Sequence, residues 1–434
     1  MRDLNDDGAL GRQMHAWLSA LFPIVRSITG PGVRQTLAYL AEQLPQLKIH
    51  EVPSGTRAFD WTVPDEWTIR DAFVADEHGR RVIDFKQHNL HVVGYSEPVN
   101  RWISFDELND HLYSLPDQPD AIPYITSYYK RHWGFCLSHK QRQGLKPNNY
   151  HVVIDSDLKP GMLNYGELIL PGRTVQEVMI TTYICHPSMA NNELSGPVVA
   201  TALAQWLTSL AKCRFTYRII FVPETVGSIV YLSKHLEYLK KHVVAGFNLT
   251  CIGDDRCYSY VPSRAGNTLS DRVALHVLKH LDPGFMRYSY LDRGSDERQY
   301  CAPGVDLPIA TIMRSKYGAY PEYHTSLDDL TLVTPKGLEG GFTALRKAIE
   351  AIEHNYMPQV TVLGEPQLGK RGLYPSLSTK SSGDAALVMM NLIAYCDGAH
   401  SLLDIAEIIG VPMWELIPIY QKLNEHGLVM DLNG

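Results

Sequence analysis

Val178-Met-Ile-Thr-Thr-Tyr-Ile-Cys-His-Pro-Ser-Met-Ala-Asn-Asn-Glu-Leu-Ser-Gly196 is the stretch on which the reading of this chain turns. Its first seven residues are apolar, β-branched or aromatic, which predicts a buried strand. His186 then stands at the strand's carboxyl end. A small polar loop follows with Asn191, Asn192 and Glu193, and a helix opens at Leu194-Ser-Gly196. In open α/β sheets, ligands bind outside the carboxyl ends of the strands. An imidazole and a carboxylate delivered there together are metal-ligand types, and their partners must come from other strand ends.

Three other segments have the same form. Ile219-Ile-Phe-Val-Pro-Glu224 is an apolar run that delivers Glu224 ahead of a helix starting near Gly227. Gly246-Phe-Asn-Leu-Thr-Cys-Ile-Gly-Asp254-Asp255 ends on two carboxylates, and Tyr320-Pro-Glu-Tyr-His324-Thr-Ser-Leu-Asp-Asp329 follows the strand-like Ile309–Met313. Between them lies the charged loop Arg293-Gly-Ser-Asp-Glu-Arg298. Taken singly, each has a plain structural explanation. A histidine can be a hydrogen-bonded core residue, a glutamate can cap the next helix, and Asp254-Asp255 can be a turn. Their joint occurrence points to a metal centre. Zn²⁺ takes imidazole and carboxylate and in catalytic sites keeps a position open for water, and a nearby unliganded carboxylate takes the water's proton. His186, Glu193 and His324 suit the ligands, and Glu224 the base.

Around this core the chain changes texture. Residues 8–46 have helical periodicity and Leu47–Val52 alternates like a strand. From Pro53 to Tyr150 the sequence is dense in aromatics and prolines, with short strands expected at Arg81–Phe85 and His91–Tyr95. From Val152 to Glu353, strands at Val178–Ile184, Tyr217–Val222, Val244–Cys251 and Ile309–Met313 alternate with four helices, which predicts an α/β sheet with helices on its faces. The tail reads as helices Ala385–Tyr395, Ser401–Ile409 and Pro412–Glu425 with a strand in Gly427–Leu432, the outline of a winged helix. From Ser382 onward it carries seven acids against one base, Lys422. DNA affinity comes from neutralising phosphates, so this tail is expected to dock or dimerise instead. The expected domains are 1–52 with 151–362 as the catalytic domain, 53–150 as an inserted aromatic-rich β domain, and 370–434 as the winged helix.

Composition agrees with a soluble globular protein, at 45% apolar and 20% charged residues. A net charge of −7 argues against non-specific binding to nucleic acid or anionic membranes. The seven cysteines are scattered without a Cys-x-x-Cys pair, as in a reducing compartment. The first residues lack an apolar leader and no apolar run reaches membrane-spanning length. A cytoplasmic protein is expected.

The order His…Asn-x-Leu-Ser-Gly…Val-Pro-Glu…Tyr-His-Thr-x-x-Asp, met here at His186, Asn192–Gly196, Val222–Glu224 and Tyr323–Asp328, resembles the zinc aminopeptidases of the bacterial leucyl aminopeptidase type. The likeness is nearest to aminopeptidase-like proteins of unassigned function, in the zinc-dependent exopeptidase superfamily, that carry an inserted small domain and a C-terminal winged helix. It implies a zinc-exopeptidase-like mixed sheet flanked by helices. Position by position, it implies that His186 and His324 are zinc ligands and Glu224 the general base. The chain departs from the family pattern at Asn192, where a bridging aspartate is usual, at Thr225 for a second glutamate, at Thr250 for a ligand aspartate, and at Ser188 for an aspartate. Fewer carboxylates imply one Zn²⁺ per chain, held by His186, Glu193 and His324. Asn192, Asp254 and Asp296 are expected as further ligands or as groups supporting them. Glu297, with Asp296, is expected to meet a substrate amine, and Arg57, Asp60 and Trp61 of the insert to overhang the cleft.

The expected activity is hydrolysis of an N-terminal aminoacyl or related amide bond of a small peptide-like or aminoacylated substrate. The alternatives are an amidase or deacylase acting on a sugar or secondary-metabolite conjugate, and a catalytically degenerate scaffold. No nucleic acid or membrane partner is expected, and homo-oligomerisation would run through the C-terminal domain.

Overall fold

The strand at the head of the quoted stretch runs Glu177–Tyr183, and all seven of its residues are buried. Burial on both faces is what parallel neighbours with helix-covered faces produce. It pairs in parallel with Thr216–Val222 on one side and Val243–Leu249 on the other, and Val243–Leu249 pairs in parallel with Ile309–Met313. Antiparallel strands extend the sheet, Met162–Leu170 and then Lys48–Pro53 at one edge and Ser259–Val261 at the other, where Met286–Arg287 pairs in parallel with that last strand. The result is the expected mixed sheet, eight strands wide. Helices Ser195–Ser209 and Val226–His242 follow the first two parallel strands. The computed structural model describes residues 8–128, 130–373 and 380–432. Tyr129, one of the insert's aromatics, and the outermost residues of the expected domains lie outside the described residues.

The Ser-Gly at the start of helix Ser195–Ser209 has a packing reason. A Cβ on Gly196 would stand 2.4 Å from the Leu249 carbonyl oxygen and 2.4 Å from Thr182 Oγ1. Only hydrogen fits between this helix and the sheet. Gly196→Ala is therefore expected to destabilise the protein by about 2 kcal/mol, in the range for overpacking a closed contact. Urea unfolding measures it, and an unchanged midpoint would refute the tight contact.

The insert forms a four-stranded antiparallel sheet in the order Arg81–Asp84, Glu66–Ala75, Asn149–Lys159, Val99–Ser104. The expected boundary at residue 150 thus falls inside a strand, and the chain rejoins the central sheet at Met162. His91–Tyr95 is not the strand its alternation suggests. It is a 3₁₀ turn, Asn89–His91, capped by the His88 side chain, followed by isolated bridges at Val92 and Gly94. Tyr95 then takes φ of +66°, which breaks the pleat. Insert residues such as Trp67, Val152 and Phe135 share one buried core with Met179, Ile220 and Ile309 of the central sheet.

The chain divides into two compact units, Met1–Ser270 with Phe285–Phe342, and Asp271–Gly284 with Thr343–Gly434. In the second, helices Lys380–Ala394, Leu402–Ile409 and Met413–Glu425 precede strand Val429–Asp431, which pairs antiparallel with Pro358–Val360 as a wing. All seven cysteines are free thiols. No helix among the described residues is long and apolar enough to cross a membrane.

Candidate metal centre

The carboxyl ends of the parallel strands converge on one place, and the backbone there is strained. His186 lies just past Glu177–Tyr183, Glu224 just past Thr216–Val222, and His324 in the loop after Ile309–Met313. Ser188, Thr225, Cys251 and His324 all have positive φ, at 43°, 62°, 48° and 56°. Non-glycine residues are held in that region only where the surroundings over-determine them, commonly at functional sites.

His186 is buried and hydrogen-bonded on one side only. Its Nδ1 stands 2.8 Å from Glu193 Oε2, while its Nε2 faces Glu224 Oε2 at 3.6 Å. The His324 ring centre lies 5.5 Å from that of His186. Two imidazoles sharing one tetrahedral ion, with Zn–N of about 2.1 Å, put their ring centres about 5 Å apart. Burial holds both rings well below the ordinary imidazole value, each to about 3, which keeps them in the neutral form that binds metal.

Glu193 is placed differently from the expectation. Rather than standing beside the open nitrogen, it lies behind the ring on the Nδ1 side, where a carboxylate fixes an imidazole's tautomer and orientation. Arg26 backs it, with Nε 3.7 Å from Glu193 Oε1 and donating to the His186 carbonyl at 2.9 Å. Both side chains are fully buried. Desolvation lifts the Glu193 carboxyl to about 8, opposed by Arg26. Cys185 Sγ, His186 Nδ1 and Glu193 form a cluster of metal-binding atom types. Two features weigh against a cation there: the buried guanidinium beside it, and the use of Cys185 Sγ to accept the Glu224 N–H at 3.2 Å.

The polar loop is a π-helical turn, Ala190–Leu194, a form that recurs at functional sites. Asp328 holds it. Its Oδ1 accepts from Asn191 N at 2.6 Å, and its Oδ2 from Asn192 N at 2.9 Å and Tyr320 Oη at 2.8 Å. Four residues from His324, Asp328 thereby ties the His324 loop to the Ala190–Leu194 turn. Asn192 donates its amide to Tyr183 Oη at 2.8 Å, and its own Oδ1 is buried without a donor. Asp254 is fully engaged elsewhere. Its oxygens accept from Asn191 Nδ2, Ser315 N, Ser315 Oγ and Arg256 N, all within 3.0 Å. It shapes a turn and has no oxygen to spare for a metal.

Beside Glu224, Asp296 Oδ1 accepts from Thr225 N and Ser228 Oγ, each at 2.8 Å, while Oδ2 is buried without a donor. Desolvation raises the Asp296 carboxyl to about 6 and, with the Asp296 charge, lifts Glu224 well above the carboxylate range, against the pull of Arg298. Glu297 is consumed by Gly294 N, Ser295 N, Tyr317 Oη and Asn248 Nδ2. That bonding makes it a brace for the loop rather than a free anchor for a substrate amine.

The insert reaches this centre through a segment the sequence did not single out. Tyr124 N donates to the His324 carbonyl at 2.9 Å, and Ser326 N to the Ile122 carbonyl at 2.8 Å. The Tyr124 ring centre is 5.1 Å from His186 and 5.2 Å from His324. Arg57, Asp60 and Trp61 lie on or beside a short hairpin, Arg57–Ala58 with Trp61–Thr62, whose first strand contacts helix Val226–His242 just after Glu224. Arg57 spends its Nε on the Phe59 carbonyl. Arg26, Tyr124 and Asp328 were the residues missed. Asp328 sits in the quoted Tyr-His-Thr-x-x-Asp motif, but Arg26 and Tyr124 carry no local signal, because they reach the centre only through tertiary packing.

Over residues 15–355 the chain matches the family described as a domain of unknown function (DUF4910), and over 356–431 the one described as a winged helix-turn-helix. A Clostridium acetobutylicum protein, provisionally named a polysaccharide biosynthesis protein with an aminopeptidase-like domain, is 42% identical over 411 residues, 94% of each chain. A crystal structure from Clostridium acetobutylicum, provisionally described as a peptidase, aligns with a TM-score of 0.93 at 39% identity and covers 98% of each chain. BSAP, a zinc aminopeptidase from Bacillus subtilis, aligns with a TM-score of 0.56 at 12% identity, over 79% of this chain and 94% of that one. At that identity the likeness is one of fold.

Proposed function

The chain belongs to the family described as a domain of unknown function (DUF4910), here joined to a winged helix-turn-helix, and on that premise we propose that it is a one-metal hydrolase of aminoacyl or related amide bonds in small substrates. The observation that carries this reading is the pair of neutral imidazoles, ring centres 5.5 Å apart, with Glu224 Oε2 3.6 Å from His186 Nε2. In this reading one ion is taken by His186 Nε2 and His324, and Asn192, whose Oδ1 is buried without a donor, is the candidate for a further ligand. The donors do not suit two ions, since Ser188, Thr225 and Thr250 stand where further carboxylates would be needed.

A bound zinc ion would polarise the scissile carbonyl and acidify a water. Glu224 takes the water's proton and returns it to the leaving amine. Glu193, backed by Arg26, keeps the His186 ring turned with Nε2 forward. Asp296, with one oxygen undonated in a buried position, favours a cationic amine beside Glu224. Tyr124 covers the two histidines and keeps bulk solvent off them. A second reading, an amidase or deacylase working on a sugar conjugate, draws on the relative named for polysaccharide biosynthesis.

Elemental analysis of protein purified without a metal-affinity tag tests the centre, and a panel of aminoacyl amides and N-acylated amino sugars tests the chemistry. We expect about one zinc per chain, and hydrolysis that stops on chelation and returns with zinc. Absence of metal after zinc is supplied would overturn the reading in favour of a scaffold. Cleavage confined to the sugar conjugates would select the second reading.

A further inference from the structure

In the second unit, His276 on helix Leu269–Leu281 has a side chain with 0% exposure and both ring nitrogens engaged. Nδ1 stands 2.5 Å from Glu407 Oε1 on helix Leu402–Ile409, and Nε2 stands 2.9 Å from the backbone nitrogen of Met413. A carboxylate accepts and a backbone N–H donates, so the polarity of both bonds is fixed. The ring is the neutral tautomer with its proton on Nδ1. Met413 is the first residue of helix Met413–Glu425, whose N-cap residue is Pro412 and which has no side-chain cap of its own. His276 thus supplies from another helix an acceptor for one of the N–H groups that a helix leaves unpaired at its start.

We propose that His276 is a proton-sensitive latch that holds helix Met413–Glu425 of the winged helix in its docked position and releases it on acidification. The added proton would go to Nε2, where it meets the Met413 N–H and the positive end of that helix. The groups around the ring divide as follows. On its own helix stand Arg272, Lys279 and His280, with the His280 ring centre 4.8 Å away. From Leu402–Ile409 come Asp404 and Glu407, and from Met413–Glu425 come Glu415 and the Trp414 ring, 6.3 Å away. From helix Pro335–Glu353, Lys347 Nζ lies 3.9 Å from the Trp414 ring centre. Glu407 and Asp404 would favour an imidazolium, but Asp404 is paired with Arg272, and Glu407 also takes Lys279 Nζ at 2.5 Å. Burial, His280 and Lys279 all oppose protonation, and His276 is held below the ordinary imidazole value despite Glu407.

The direction follows from linkage. A released His276 binds a proton more tightly than a docked one, so the latch holds fully above the free-imidazole pKa of about 6.5 and weakens as pH falls from there toward the lowered docked value. Within that window the docked fraction falls relative to the released one by up to about tenfold per pH unit.

Hydrogen exchange on the full chain, corrected for the intrinsic pH dependence of exchange, reads this opening. Peptides spanning 413–425 are expected to open up to about fivefold more at pH 5.5 than at pH 6.5, while helix Ser195–Ser209 stays unchanged. His276→Gln preserves both bonds, its amide donating to Glu407 and its oxygen accepting from Met413, but does not titrate. It is expected to stay protected at both pH values. A wild type that does not respond, or a His276→Gln variant that responds as wild type does, would overturn the latch. If the variant fails to fold, NMR titration of His276 in the wild type decides, and a pKa at or above 6.5 would overturn it.

Discussion

Glu224→Gln is expected to leave metal content at the wild-type level and to lower turnover by about 10²–10⁴-fold, the usual contribution of a positioned general base. Glutamine has the shape of glutamate but cannot take a proton. The expectation rests on where Glu224 sits. It ends a buried strand, its backbone N–H is fixed on Cys185 Sγ, and its Oε2 approaches the open nitrogen of His186 at 3.6 Å. Desolvation and the neighbouring Asp296 raise its affinity for a proton above that of an ordinary carboxylate. Because the proton moves only in the transition state, kcat and kcat/KM are expected to fall together. If metal is lost along with activity, Glu224 is a ligand. If turnover survives, its role as base is wrong.

The parts of this molecule that were legible in the sequence are those where local pattern and tertiary role coincide. Buried parallel strands are rich in apolar residues, so Val178–Ile184, Tyr217–Val222 and Ile309–Met313 stood out, and His186 and Glu224 after the first two marked the carboxyl edge of the sheet. The tail helices were legible from their periodicity, with Ser401 capping one and Gly410 ending it. The insert was harder. Asn149–Lys159 alternates buried and exposed residues as a half-solvated strand does, but nothing local says which sheet it joins. The departures at the centre have the same origin. Glu193 and Asp254 are carboxylates at the right places in the chain. Which side of the imidazole Glu193 occupies depends on Arg26, more than 150 residues away, and Asp254 is withdrawn by Asn191 and Ser315. Ligand type is written locally, whereas ligand direction is set by packing.

Glu193 supplies the sharpest test of that distinction. If it orients His186 from behind, Glu193→Gln is expected to weaken zinc binding by about 10–100-fold, the usual effect of removing such a partner, while the chain still takes up one ion at saturation. His324→Ala, which removes a ligand outright, is expected to abolish stoichiometric binding. Competition with a chelating dye measures both. The substitution has a second consequence above the value of about 8 to which burial lifts the Glu193 carboxyl, because Arg26 is fully buried, its Nη2 lacks a partner, and the ionised Glu193 then supplies the neighbouring negative charge. Removing one member of a buried pair costs about 3–5 kcal/mol, since an uncompensated charge is left behind. Above that pH, Glu193→Gln is therefore expected to lower stability as well as affinity. Replacing Arg26 by Met in the same chain should recover much of the stability without recovering the affinity. If instead Glu193→Gln loses the ion as completely as His324→Ala does, the carboxylate is a ligand and the metal lies on the Nδ1 side, with Cys185. If both variants bind zinc as wild type does, the pair of histidines is not a metal centre, and the sheet's working edge must be read as a binding surface.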